Sequence, residues 1–421
     1  MTAHRAEILH FLDQENHQYY EDGLLIIEDG FIHSVGDASE LLPTLPQNTE
    51  IVTHPNSLIT PGFVDTHIHL PQCEVIASYG EQLLEWLETY TFPAEQKFSD
   101  PEYAAKIASF FLDQLLSNGT TTALVYGTVH PQSVDAFFSE AQRRNLRMIC
   151  GKVMMDRNAP DALLDTPESS YQESRELIEK WHNKDRLRYA VTPRFAPTST
   201  PEQLASAGRL LREFPDVYFQ THLSENQKEC EWVQSLFPES KNYLDVYDQH
   251  QLLGKRSVFA HGVHLQDAEW RRLAETDSAL SFCPSSNLFI GSGLFKLHRA
   301  KVHKVKVGLG TDVGGGDSFS MLRTINQAYK TQQLQANKLS ALESLYLATL
   351  GGAKALDMDD KIGSFEAGKE ADFVVLDYQA TDLIKFRIGH CQNIEERLFT
   401  LLMLGDDRAV RSTYIMGSST S

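Results

Sequence analysis

The sequence predicts an α/β chain: a (β/α)8 TIM barrel joined to a small β-sandwich domain formed from both chain ends. Three observations point there. Eight short apolar runs alternate with long amphipathic stretches through the middle of the 421 residues. Near-continuous apolar strands separated by helices indicate a parallel sheet covered on both faces, and eight such units suit a closed barrel. Both ends of the chain carry turn-punctuated β signatures instead. Finally, side chains that bind metals recur where the runs stop, and a barrel gathers its strand ends on one face. An open doubly wound sheet is the alternative, because periodicity alone does not separate the two.

The first segment, residues 1–57, reads as a small antiparallel sheet. Asp22-Gly23 and Asp29-Gly30 separate apolar stretches, and Asp-Gly between such stretches is a strong hairpin signal. Ala371–Asp377 and Val410–Gly417 carry the same signature. Residues 1–57 plus 368–421 are therefore expected to form the small domain, with the barrel over 58–367. The barrel runs fall at 61–66, 120–126, 146–153, 187–193, 217–221, 257–260, 279–283 and 305–310. No internal repeat beyond this alternation stands out, and no low-complexity linker.

Composition narrows the function. The chain holds 38 Lys+Arg against 57 Asp+Glu, a net charge of −19. Nucleic acid and anionic membranes recruit basic surfaces, so neither is an expected partner. A small neutral substrate remains open. No apolar run approaches the ~18 residues of a membrane span. Met1–Glu7 lacks the apolar core of a signal peptide. Five scattered cysteines form no CxxC pair, which reads as reduced thiols in a cytoplasmic protein.

The chemistry begins at Pro61-Gly62-Phe63-Val64-Asp65-Thr66-His67-Ile68-His69. On a strand, residues i and i+2 share one side, so His67 and His69 converge. Arg194 closes the fourth run, His222 the fifth, His261 the sixth and Asp312 the eighth. Singly, each has a plainer reading. A lone strand-end histidine is more often structural, Asp312 before glycines suits a turn, and Arg194 can pair with a surface carboxylate. Together the plain reading needs independent accidents at five strands. His67, His69, His222 and Asp312 supply three imidazoles and a carboxylate, a set suited to Zn2+, one per subunit, with Fe2+ as second choice. A metal there would make hydroxide available near neutral pH. Glu225 follows His222 where a helix should begin, with Ser224 as its expected cap. That places Glu225 as a general acid/base. Gly314-Gly315-Gly316 lacks the Lys-Ser/Thr of a phosphate loop and reads as a flexible connection. The remaining histidines, such as His130, His182 and His264, take structural or solvent roles.

These motifs, with His222-Leu223-Ser224-Glu225 and Gly310-Thr311-Asp312, resemble the metal-dependent amidohydrolase superfamily. Leu83–Glu95, Pro71-Gln72, Arg194-Phe195-Ala196-Pro197 and Cys283–Leu288 are similar to the branch that deaminates guanine. The likeness spans essentially the whole chain. It implies that Gln72, Arg194, Phe195 and His222 bind a purine and that Glu225, His261 and Asp312 serve catalysis. It also implies a cytoplasmic homodimer that converts guanine to xanthine and ammonia. Guanine presents a carbonyl acceptor where adenine presents an amino group, and a guanidinium has donors only. In the implied sequence Glu225 moves a proton from the attacking water to ring N3, the water oxygen adds at C2, and His261 and Asp312 relay the remaining proton.

Rival readings keep the same ligands and change the pocket: a nucleoside or pterin deaminase, or a triazine chlorohydrolase. Binuclear relatives need a bridging lysine near the fourth strand, and Thr192-Pro193-Arg194 offers none. Cys283-Pro284-Ser285-Ser286 lacks the second cysteine of the cytidine-deaminase zinc motif. A non-catalytic scaffold should have lost ligands, and this set is complete.

Overall fold

The computed structural model describes residues 1–79 and 82–420. The N-terminal strands are β1 (Thr2–Phe11), β2 (His17–Glu28), β3 (Phe31–Asp37) and β4 (Glu50–Pro61). Barrel strands follow: β5 (Phe63–His69), β6 (Thr120–Tyr126), β7 (Arg147–Gly151), the short β8 (Val153–Met154), β9 (Arg188–Pro193) and β10 (Tyr218–Leu223). The ring continues with β11 (Ser257–His261), β12 (Ala279–Phe282) and β13 (Lys306–Leu309). The tail adds β14 (Phe373–Asp377), β15 (Val410–Ile415) and β16 (Ser418–Ser419).

The barrel sheet runs β13-β12-β11-β10-β9-β7-β6-β5, with β8 paired to β9. Backbone bonds bring the ends of this path together: Asp312 N–H donates to the His67 carbonyl at 2.9 Å, and His69 N–H to the Val313 carbonyl at 3.1 Å. Every residue of β5 and β10 is buried, as a parallel strand covered on both faces requires. The eight runs read from the sequence all become strands.

The second sheet comes from both chain ends, in the order β16-β15-β14-β4-β1-β2-β3. Ile8, Leu25, Ile59, Phe373 and Val375 pack within its core. Two expectations need correction here. The sheet is not wholly antiparallel, because β1 and β4 run parallel. Asp22-Gly23 is no turn either: β2 runs straight through it. Gly23 lies opposite Ala6, beside the irregularity in β1 between Ala6 and Ile8. A Cβ at Gly23 would sit 2.7 Å from an Ile8 side-chain carbon, so close approach explains that glycine. Only Asp29-Gly30 makes the hairpin; both have positive φ, 52° and 85°, as a two-residue primed turn demands.

The chain divides into two compact units. One comprises Met1–Asp65, Gln114–Thr122 and Phe319–Ser421, the other Thr66–Asp113 and Ala123–Ser318. No helix among the described residues is long and apolar enough to cross a membrane.

Candidate active site

The pleat of β5 sends His67 and His69 to one side, and their Nε2 atoms lie 3.2 Å apart. β10 brings His222, whose Nε2 is 3.3 Å from that of His69. Asp312, three residues past β13, places Oδ1 3.2 Å from both His67 Nε2 and His69 Nε2. All four residues are buried. Donors ~2.0–2.1 Å from a zinc in tetrahedral array would be spaced about 3.3–3.4 Å. The four residues therefore fit a divalent ion.

Protonation agrees with that fit. The His222 Nδ1–H donates to the Arg194 carbonyl at 2.7 Å, which leaves Nε2 as the lone-pair nitrogen. Burial pushes His69 down to about 3 and His222 well below its usual range, so both imidazoles are neutral. Burial opposes ionisation of Asp312, yet the imidazoles of His67, His69 and His261 more than offset it and keep the carboxyl well below its ordinary value. The neutral imidazoles of His69 and His222 and the ionised carboxylate of Asp312 suit a metal.

His261 ends β11 and stands at the edge of this group. His67, His222, His261 and Asp312 each bring a donor atom, all within 4.8 Å of one another. Yet His261 Nε2 faces Glu225 Oε2 at 3.4 Å and the outer oxygen of Asp312, Oδ2, at 3.7 Å. Its Nδ1–H donates to Asn287 Oδ1 at 2.9 Å, which aims the other nitrogen at Glu225. The Ser292 hydroxyl donates to the second Glu225 oxygen at 3.2 Å. Burial raises the Glu225 carboxyl well above its usual value, and the charges of Asp312 and Glu229 add to the rise.

Glu225 owes its place to the chain that follows. The expected cap Ser224 has a left-handed φ of 48°. Asn226 caps the helix Gln227–Leu236 instead, in a capping box with Glu229. The Glu229 carboxylate accepts from the Glu225 N–H at 2.8 Å and from the Asn226 N–H at 2.9 Å. Tyr243 donates to its other oxygen at 2.7 Å. The loop carrying Glu225 is thus clamped on both sides.

A cleft opens onto His69, His222, Glu225, His261 and Asp312. Leu83, Trp86, Leu87, Phe195 and Ile290 supply apolar walls, and Gln72 and Arg194 supply polar ones. The structure therefore gathers the site residues singled out from the sequence, with one change of detail. Arg194 stays within the site: its Nη1 donates to both oxygens of buried Glu95, at 2.7 and 2.8 Å. The glycines 314–316 are buried and packed rather than a loose connection. Gly314 N–H donates to Gln72 Oε1 at 3.0 Å, and a Cβ on Gly316 would lie 1.9 Å from the Thr311 carbonyl oxygen.

Sequence reasoning missed Glu95, Trp86, Asn287 and Ser292. The first three lie in stretches already conspicuous, Leu83–Glu95 and Cys283–Leu288. Nothing local distinguishes Ser292.

A profile of the amidohydrolase family matches residues 58–419. The chain belongs to that family. This amidohydrolase is similar to the guanine deaminase of Escherichia coli (strain K12), 56% identical over 400 residues, 95% of this chain and 91% of that protein. Its fold matches an E. coli guanine deaminase structure with a TM-score of 0.98 at 53% identity, over 100% of this chain and 99% of that one. A guanine deaminase structure from C. acetobutylicum, with guanine bound in its active site, gives 0.91 at 29% identity over 99% of each chain.

Proposed function

We propose that this amidohydrolase converts guanine and water to xanthine and ammonia. The observation that carries the reading is one cleft holding an arginine donor, a buried acid and a metal-type donor set together. The 56% identity to a guanine deaminase supports the choice of purine.

His67, His69, His222 and Asp312 would hold the metal, zinc before iron, since three imidazoles and one carboxylate suit either. When bound, that ion lowers the pKa of a coordinated water from ~15.7 to about 7. Arg194 donates to the purine carbonyl, where adenine would present another donor. Gln72 orients the ring edge, and Phe195 packs among the apolar walls. Glu225 takes the first proton of the attacking water and delivers it to ring N3. The water oxygen bonds to C2. His261 and Asp312 carry the remaining proton to the departing amino group, and the C2–N bond breaks to release ammonia. A cytoplasmic homodimer completes the reading, and a reducing compartment suits five free cysteines.

The test is a substrate panel with the metal-loaded protein: guanine, adenosine, a pterin and a chlorotriazine. Guanine should yield xanthine and ammonia in equal amounts. Turnover of another member without turnover of guanine would overturn the assignment.

A further inference from the structure

Glu95 is fully buried and is not among the residues that line the cleft. It sits on the short helix Phe92–Gln96, 99 residues from Arg194. Both its oxygens take the same Arg194 nitrogen, Nη1, and it also accepts from the Gln72 amide. Gln72 turns its own oxygen to the Gly314 N–H. Among the described residues the guanidinium has no other hydrogen-bond partner, so Nε and Nη2 remain for a ligand. One carboxylate thus orients both side chains that read the purine edge and cancels Arg194, the one Lys or Arg among the described residues that line the cleft.

Structural compensation accounts for part of this, because a buried guanidinium needs a counter-charge. The chemistry of the reaction adds a second consequence, which rests on the deaminase reading above. Substrate and product share the carbonyl that Arg194 faces. They differ at C2, where an amino group becomes a second carbonyl. An N–H flanked by two carbonyls is more acidic, because its anion is delocalised over both. The product therefore ionises more readily than the substrate. A bare guanidinium would hold that anion through charge-assisted bonds, which are roughly twice as strong as neutral ones.

We propose that Glu95, by neutralising Arg194 within the purine pocket, sets selectivity for the neutral substrate over its ionisable product and so limits product inhibition. Glu95 acts through Arg194; it is a positioning and specificity residue rather than a catalytic one.

The experiment compares metal-loaded wild type with Glu95→Gln, measuring KM for guanine and the inhibition constant of xanthine at mildly alkaline pH. The variant should raise KM yet bind xanthine tighter relative to guanine, by about tenfold. Equal weakening of both ligands assigns Glu95 a purely structural role and overturns the proposal. A second measurement uses the unmodified enzyme, in case the unpaired arginine prevents folding of the variant. As pH rises and xanthine ionises, its inhibition of the wild type should weaken. Inhibition that strengthens or holds level overturns the proposal. The other titratable groups of the cleft, His69, His222, Glu225, His261 and Asp312, face substrate and product alike, so the guanine KM over the same range corrects for them. Wild type that turns over no guanine defeats the functional reading itself, whereas turnover with an unchanged ratio defeats only the role of Glu95.

Discussion

At the scale of single residues, Glu225 and Arg194 make opposite demands. Glu225→Gln keeps the hydrogen-bonding shape and removes the proton. It should retain metal and bind guanine while losing about 10²–10⁴-fold in kcat, read by single-turnover kinetics beside metal analysis. Near-normal turnover would remove Glu225 from the mechanism. Arg194→Met should lower kcat/KM for guanine by about tenfold to a hundredfold, from a charge-assisted bond worth roughly 1.5–3 kcal/mol. It should also lower Tm, because Glu95 is left buried without its partner. Adding Glu95→Gln should restore Tm but not activity, a split that thermal denaturation and steady-state kinetics can read separately. Residue-scale legibility was uneven for a physical reason. Metal ligands announce themselves by type and by position at strand ends. Glu95 does not, since its partner is remote in sequence and its meaning arises only when the chain folds.

Secondary-structure elements were legible wherever burial dictates composition. β5 and β10 are covered on both faces, so their apolar runs could be read directly. The second sheet was harder. Asp22-Gly23 has the composition of a turn, but Gly23 is small because β1 bulges against it, and composition does not distinguish the two causes. The cap before Gln227 shifted by two residues, because Ser224 is taken up by the left-handed turn that presents Glu225. Close packing between strands gives a sharp test. At Gly151, the last residue of β7, a Cβ would stand 1.8 Å from the Ala190 carbonyl oxygen. Backbone cannot yield there, so Gly151→Ala should cost at least about 1–3 kcal/mol. Urea denaturation of the purified variant checks this; wild-type stability would show that the strands can separate.

The whole molecule responds to acid and to chelators in ways the buried imidazoles set. Burial holds His4 and His10 down to about 4, below the usual 6.5, and lowers His54 as well. All three are neutral in the folded protein, and the unfolded chain binds their protons more readily. Their contribution to stability is therefore complete above about 6.5 and is lost as pH falls towards about 4. Circular dichroism across that window should show Tm falling, and His4→Gln should flatten part of the slope. Chelation should abolish turnover and also lower Tm, because an ion held only by the folded chain stabilises it by mass action. An unchanged Tm in the stripped protein would mean that the four donors hold no structural ion.

β4 lies between β1, its neighbour in the first stretch of chain, and β14, which begins at Phe373. While a ribosome is still extending the chain, Leu58, Ile59 and Thr60 therefore have no strand on one side, although all three end up buried. An unpaired apolar edge invites pairing with other nascent chains. Synthesis that stalls before residue 373 should leave an aggregation-prone product even where most barrel strands have already emerged. Chaperone demand during translation is thus written into the order of the strands.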